Sequence, residues 1–539
     1  MRKYILYITF TALISAVLSS CASDWTDRNP STALPRELAL GNRTEAFAAL
    51  NGMMDAVQGT SAFNSWYGSR FIVHGDVRGD DMQATTDAAR TAPSYMMQHT
   101  VHNAPTLWIQ PYRAINRANS LIFALEDMDE LPGADEAFVN DMIGQALTVR
   151  ALAHFDLLRM NALPYTVGGP DALGVPLIIT PQDPRYPPAR NTVGEVYAQI
   201  LIDLQDAIGM MFTRAQRTDN NIIPNSPYRS GTISGWFDVH SAMALLARVH
   251  LYMGNFPEAY RVATQVIAQV NALPGRGLGE LRLGADGFIA DWQTQIASEI
   301  LFEIVNWNQA DWVDRESIGY IYNEAGYGDG IMTQAFINLM ETYFADDLRW
   351  GVMLPSRRDP NATRAWNIII PANADQGIAA DTIWNRVFIN KYPGRGHAGL
   401  NNVPILRLSE MYLIAAEAAY QNNNPTSAAR YLNAIVLRGN PNATPVAPAD
   451  ANLDRILKER RVEFVGEGHR FFDLMRNDRP VVRFTNDGED PELNDAGWHL
   501  ALMPSARSFD VRYWRAISPI PVAEMNANPN MVQNPGYGQ

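Results

Sequence analysis

Two stretches with tetratricopeptide spacing and one charged amphipathic helix predict a mainly α protein. The expected architecture is a right-handed, tetratricopeptide-like array of helix pairs with a loop-rich, short-stranded portion intertwined with it. Residues 237–270 carry Leu246, Ala247, Gly254, Phe256, Ala259 and Ala263 at the unit's spacings, where small residues let two helices approach closely. Residues 407–437 repeat the pattern with Ala415, Ala416, Ala428 and Leu432. Asn423 stands there in place of the usual glycine, and asparagine tolerates the left-handed turn. The third stretch is 452–476. Its Leu453, Ile456, Leu457 and Phe464 share one helical face with Arg460 and Glu463. A charge buried there needs a hydrogen-bonded partner, so an ionic network should hold helix against helix. Gly466 and Gly468 break this helix around Glu467, and it restarts with Phe471, Phe472, Leu474 and Met475 inward.

Taken from the N-terminus, Arg2 and Lys3 precede an apolar segment too short for a comfortable membrane span, and Leu18-Ser19-Ser20-Cys21 follows. This reads as a lipoprotein signal over 1–20, leaving Cys21 as the lipidated residue, its acyl chains anchored in lipid at about 0.8 kcal/mol per buried CH₂. Cys21 is the only cysteine, which excludes an intrachain disulfide and a cysteine metal cluster. A polar tether covers 21–35, and 36–539 is expected to be a single domain. Its helical scaffold covers roughly 36–60, 105–270 and 405–476, with loop-rich excursions at roughly 61–104, 273–404 and 477–539.

Within the scaffold, Phe47, Leu50, Met54 and Val57 predict a helix over 43–58. Trp108, Tyr112, Ile115, Asn119, Ile122 and Leu125 form a stripe facing a second helix that carries Ile143, Leu147, Arg150, His154 and Leu158. Their spacing makes Trp108 and Tyr112 core residues. Seven prolines and three glycines between Asn161 and Arg190 exclude a continuous helix there, and the helical period resumes over 193–211. One helix pair cannot bury its own face, so the pairs must stack. The excursions lack a sustained period; only short pieces such as 299–306 and 366–370 look strand-like.

A net charge of −14 argues against a sequence-independent nucleic-acid binder. Lysine occurs only at Lys3, Lys391 and Lys458, so the positive charge is nearly all arginine, which suits fixed bidentate ion pairs.

The run from Glu459 to Arg476, of the form ERR-x-EF-x-GEG-x-R-x-x-DL-x-R, resembles the C-terminal signature of the SusD/RagB family of Bacteroidetes nutrient-uptake lipoproteins. Further motifs agree in order: Trp108-x-x-x-Tyr112-x-x-Ile115-x-x-Ala118-Asn119, Arg150-Ala151, Lys391-Tyr392, Ile405 through Tyr412 running into Ala416-Glu417-Ala418, Pro519-Ile520-Pro521, and Gln533 through Tyr537. The resemblance implies a non-enzymatic, cofactor-free binding lipoprotein at the cell surface. It would sit over a SusC-like TonB-dependent outer-membrane transporter and deliver an oligosaccharide or, in the RagB manner, a peptide. It also implies that the helical face packs on the transporter while loops meet the ligand.

Sugars present apolar C–H faces and polar edges, so a site needs flat rings flanked by hydrogen-bonding groups. Two stretches combine these. The later excursion has Trp307, Trp312, Tyr320, Tyr322 and Tyr327 beside Asn308, Asp311 and Asn323; the earlier has Trp66 and Tyr67 with Arg78, Asp80, Asp81 and Gln98. The glycan-binding candidates are therefore Trp307, Trp312, Tyr320, Tyr322, Tyr327, Trp66, Tyr67, Arg78 and Asp81. No Gly-x-Ser-x-Gly elbow, phosphate loop or His-Glu-x-x-His helix is present, and neither His74-Gly75-Asp76 nor Asn486–Asp490 has the ligand order of an established metal loop. A protein-interaction scaffold without a small ligand is the competing expectation.

Overall fold

The structure, a computed structural model, describes residues 40–59, 65–128, 130–182, 185–213, 216, 235–273, 285–293, 299–306, 314–355, 368–370, 382–384, 387–483 and 502–538. Cys21 with its signal and tether, Trp307, Trp312 and the acidic loop 486–490 lie outside these residues.

The scaffold helices are α1 (Arg43–Gln58), α3 (Ile109–Glu126), α4 (Glu136–Asn161), α5 (Val193–Met210), α6 (Val239–Tyr252), α7 (Phe256–Asn271), α10 (Leu408–Gln421), α11 (Pro425–Gly439), α12 (Leu453–Phe464) and α13 (Arg470–Arg476). Between them fall α2 (Arg70–Val77), α8 (Ala285–Gln293) and α9 (Gln334–Tyr343). Local signals explain their ends. Asn42 accepts hydrogen bonds from the amides of Thr44 and Glu45 to start α1, and Thr192 and Glu195 form a capping box at α5.

Packing runs as a file of neighbours: α1 on α3, α3 on α4, α4 on α5, α5 on α6, α6 on α7, α7 on α10 and α10 on α11. Each helix buries its stripe against the next, as stacked repeats do. Alanines make the close approach in the last unit, where Ala416, Ala419, Ala428 and Ala429 are buried with Leu432 and Ile435. The turns of the two clear units use Gly254 at φ +71° and Asn423 at φ +57°, so asparagine does adopt the left-handed conformation.

Arginines tie the file together. Arg150 of α4 is bidentate to Asp203 of α5, both bonds at 2.8 Å. Arg248 of α6 grips Glu410 of α10 at 2.5 and 2.7 Å. The expected network around α12 is present with partners the periodicity alone could not assign. Glu463 meets Arg407 and Arg349, each at 3.1 Å, and also Arg438. Arg460 is bidentate to Asp473 at 2.7 and 3.0 Å, and Asp473 also accepts from Arg476. Burial alone would raise the Glu463 carboxyl, but Arg438, Arg407 and Arg349 hold it well below the usual carboxylate range.

The excursions contain more order than their sequences suggest. Helix α2 lies inside the earlier one. Its Phe71, Ile72, Val73, His74, Asp76 and Val77 are all buried, and a helix covered on all sides shows no amphipathic period. Among the described residues every sheet is two-stranded: β1 (Met82–Ala84) pairs with β3 (Gly330–Met332), β2 (Ile300–Ile304) with β8 (Val403–Arg407), β4 (Met353–Pro355) with β7 (Val387–Ile389), β5 (Ile368–Ile370) with β6 (Thr382–Trp384), and β9 (Val481–Val482) with β10 (Ser508–Phe509). The β2–β8 ladder closes the base of the later excursion just before α10 begins. Arg461 of α12 and Arg470 of α13 anchor the earlier one through Asp81 and Asp80, at 2.6 Å each.

Candidate functional site

The two stretches singled out for ring and polar content, far apart in sequence, are joined in space. Antiparallel β1–β3 pairing sets Met82 opposite Met332 and Ala84 opposite Gly330. The Ile318 amide donates to the Gly68 carbonyl at 2.9 Å, and Thr85 donates from its amide to the Asp329 carbonyl at 3.2 Å. The seam thus brings residues 65–107 against 314–332.

Along it, a turn folds the later stretch back on itself. The Tyr327 amide donates to the Tyr320 carbonyl at 2.8 Å. Gly326 permits the fold, since a Cβ there would lie 2.2 Å from that same carbonyl oxygen. The rings of Tyr320 and Tyr327 consequently meet edge to face, with centroids 4.8 Å apart. His397 also stacks on Tyr320, with ring centroids 5.9 Å apart. Arg90 lays its guanidinium 3.4 Å from the centre of the Tyr327 ring, a cation–π contact. Both tyrosines remain partly exposed. Arg90 also pairs with Asp329 at 3.3 Å, and Arg70 pairs with Glu316 at 2.8 Å.

Arg90 and Arg70 also line a neighbouring cleft of about 230 Å³, whose walls include His74, Ser94, His99 and Asn103. His74 is held well below its ordinary range by burial and by Arg78. His99 is likewise lowered, chiefly by loss of solvation, although its bond to the Asn103 carbonyl opposes this. Half-exposed rings beside fixed charged donors suit the C–H face and hydroxyl edge of a sugar. Glu316 and Asp329 are engaged in ion pairs within the seam.

Of the candidates read from the sequence, Tyr320 and Tyr327 are brought together at this seam. Five others are corrected to interior positions. Trp66 is fully buried and donates from Nε1 to Asp156 at 2.9 Å, and Tyr67 packs between Trp66 and Phe71. Tyr322 is fully buried, its hydroxyl donating to Asp76 at 2.9 Å. Arg78 is spent on the Ala516 carbonyl at 2.9 Å and on the Phe471 ring. Asp81 is the anchor of Arg461. Each of the five is closed in by protein with its polar group already bonded to a neighbour, so none presents a free face or donor at the seam. Trp108 is buried as expected, and Tyr112, partly buried, donates to the Pro176 carbonyl at 2.9 Å. Sequence reasoning missed Arg70, Arg90, His99, Asn103 and His397. Their only signal was membership of the irregular segments, because Arg90 and its partner Asp329 are 239 positions apart.

Comparison with known proteins agrees with this architecture. Residues 321–537 match the model of the SusD family, and residues 24–251 match a model described as "Starch-binding associating with outer membrane". The chain is 25% identical to SusD-like protein P38 of Formosa agariphila, over 88% of this chain and 92% of that protein. A solved SusD superfamily protein from Bacteroides vulgatus is 31% identical with a TM-score of 0.75, covering 92% of this chain and 100% of that one. Another from Bacteroides thetaiotaomicron is 29% identical, also with a TM-score of 0.75, over 92% and 100%. The helix file, its ionic ties and these likenesses together establish that the chain belongs to the SusD family.

Proposed function

We propose that this protein is a non-catalytic, surface-exposed lipoprotein that captures an oligosaccharide at the β1–β3 seam and passes it to a SusC-like TonB-dependent transporter. Acylated Cys21 would hold it to the outer membrane. The observation that carries the reading is the Tyr320–Tyr327–His397 ring cluster beside Arg90, exposed where two excursions meet on a rigid helical frame. A starch-binding description for the model matching residues 24–251 supports a sugar as cargo.

The test is calorimetry on the protein from residue 22 onward against panels of oligosaccharides and peptides, with chromatography of the sugar afterwards. The expected result is saturable binding of a glycan recovered intact. Cleavage of the sugar by pure protein would refute the non-catalytic part. Binding of peptides alone would replace the cargo, and no binding at all would favour a scaffold that engages only proteins.

A further inference from the structure

Resting on the seam as the capture site, the chemistry of the adjoining cleft narrows the class of sugar. Its polar walls supply donors. Arg70 commits one terminal nitrogen to Glu316 at 2.8 Å, and Arg90 one to Asp329 at 3.3 Å, with its Nε also 3.6 Å from Glu316. A guanidinium carries five N–H donors and no acceptor, so each arginine keeps several to offer. Asn103 commits its side-chain oxygen to the Thr100 amide and hydroxyl, at 2.5 and 2.9 Å, leaving its NH₂ as the free function.

The buried His74 supplies the decisive detail. It is 1% exposed, and its Nε2 contacts the Arg78 guanidinium. Arg78 can only donate, so Nε2 must accept and the ring proton resides on Nδ1. That Nδ1 has no hydrogen-bond partner among the described residues. A buried donor left unpaired is costly, which makes an acceptor from outside the chain the natural complement. No carboxylate stands among the cleft's wall residues. The chain's charge of −14 repels anions at long range, but salt screens that beyond about 8 Å, whereas the cleft acts at contact.

We infer that the cleft between Arg70, His74, Arg90 and Asn103 receives an anionic substituent, a carboxylate or sulfate, of the captured sugar while a neighbouring ring stacks on Tyr320 and Tyr327. Arg90 belongs to both parts, since it lines the cleft and covers the Tyr327 ring. The preferred cargo is therefore an acidic glycan, either uronate-containing or sulfated.

Matched pairs test this. Calorimetry would compare oligogalacturonate with its methyl ester, oligoglucuronate with its carboxyl-reduced form, and sulfated with desulfated galactan oligomers. Within at least one pair, the charged member should bind tenfold or more tightly. That margin should collapse in Arg70→Gln, which retains a hydrogen bond to Glu316, once an unchanged melting temperature has shown it folded. The uronate and sulfate pairs separate the two kinds of anion. If neutral members bind as tightly as charged ones, or the margin survives in folded Arg70→Gln, this inference falls and the capture reading stands. If no member of any pair binds, this inference falls, and the capture reading is decided separately by the wider oligosaccharide panel. The wild-type comparison decides the first question even should the variant fail to fold.

Discussion

Tyr327 carries two separate contacts, the edge of Tyr320 and the guanidinium of Arg90, and presents its remaining surface outward. Tyr327→Ala should therefore weaken glycan binding by about 1–3 kcal/mol, in the range of an interface anchor, with the melting temperature nearly unchanged. Calorimetry and a thermal scan on the same sample check both halves. The interior arginines should behave in the opposite way. Arg349→Ala strands the buried Asp347 and removes one of the partners of Glu459 and Glu463, which keep Arg455 and the pair Arg407 and Arg438, an expected loss of about 3–5 kcal/mol in denaturant unfolding. Arg460→Ala should cost less, because Asp473 keeps Arg476. At this scale the sequence was readable only in part. Arg460 and Glu463 announce burial by sitting on an apolar helical face. Trp66 and Tyr322 announce nothing, since a ring in an irregular segment looks the same whether it faces ligand or core. The buried hydroxyl partner of Asp76 and the indole partner of Asp156 are tertiary facts.

The elements that position the site are short, and two glycines fasten them. Gly75 in α2 lies so close to the loop between α12 and α13 that a Cβ would sit 2.0 Å from the Gly468 carbonyl oxygen. Gly468 itself is at φ +79° and abuts Ile72. Because both sides of this contact are backbone, Gly75→Ala should cost at least the 1–3 kcal/mol typical of overpacking, read as a lower urea midpoint or insoluble protein. Helix α1 was legible to the residue, 43–58 being expected and Arg43–Gln58 found, and the other scaffold helices were legible to within about five residues at their ends. Gly466 and Gly468 were legible as breakers, and both have positive φ. Helix α2 was not, because burial on all sides erases the period by which amphipathic helices are recognised. The β1–β3 seam was invisible for another reason: strands of three residues hold too little alternation to declare a partner.

Across the whole molecule, buried titrating groups set how stability depends on pH. His154 is pushed down to about 3 by burial and nearby Arg150, and His74 is also well below its usual range. The unfolded chain protonates both near 6.5, so below that pH it takes up protons that the fold refuses, and stability falls as pH drops. Each histidine contributes about 1.4 kcal/mol per pH unit in that window. Asp76, raised to about 8 by burial, works in the opposite direction between pH 3.8 and 8 and offsets one of them. Below pH 4.5, Glu463 adds its own loss, since its carboxylate is ionised in the fold and protonated in the unfolded chain. The urea midpoint should accordingly decline from pH 6.5 to 5 and more steeply below 4.5; a midpoint that rises on acidification would contradict the burial of these histidines.

The division of labour between a stacked helical frame and a seam of excursions is tested most directly by a crystal structure with a bound oligosaccharide. The account predicts a sugar ring against Tyr320 and Tyr327 with its polar edge toward Arg90. A sugar seated on the tetratricopeptide face, with the tyrosine seam untouched, would contradict it.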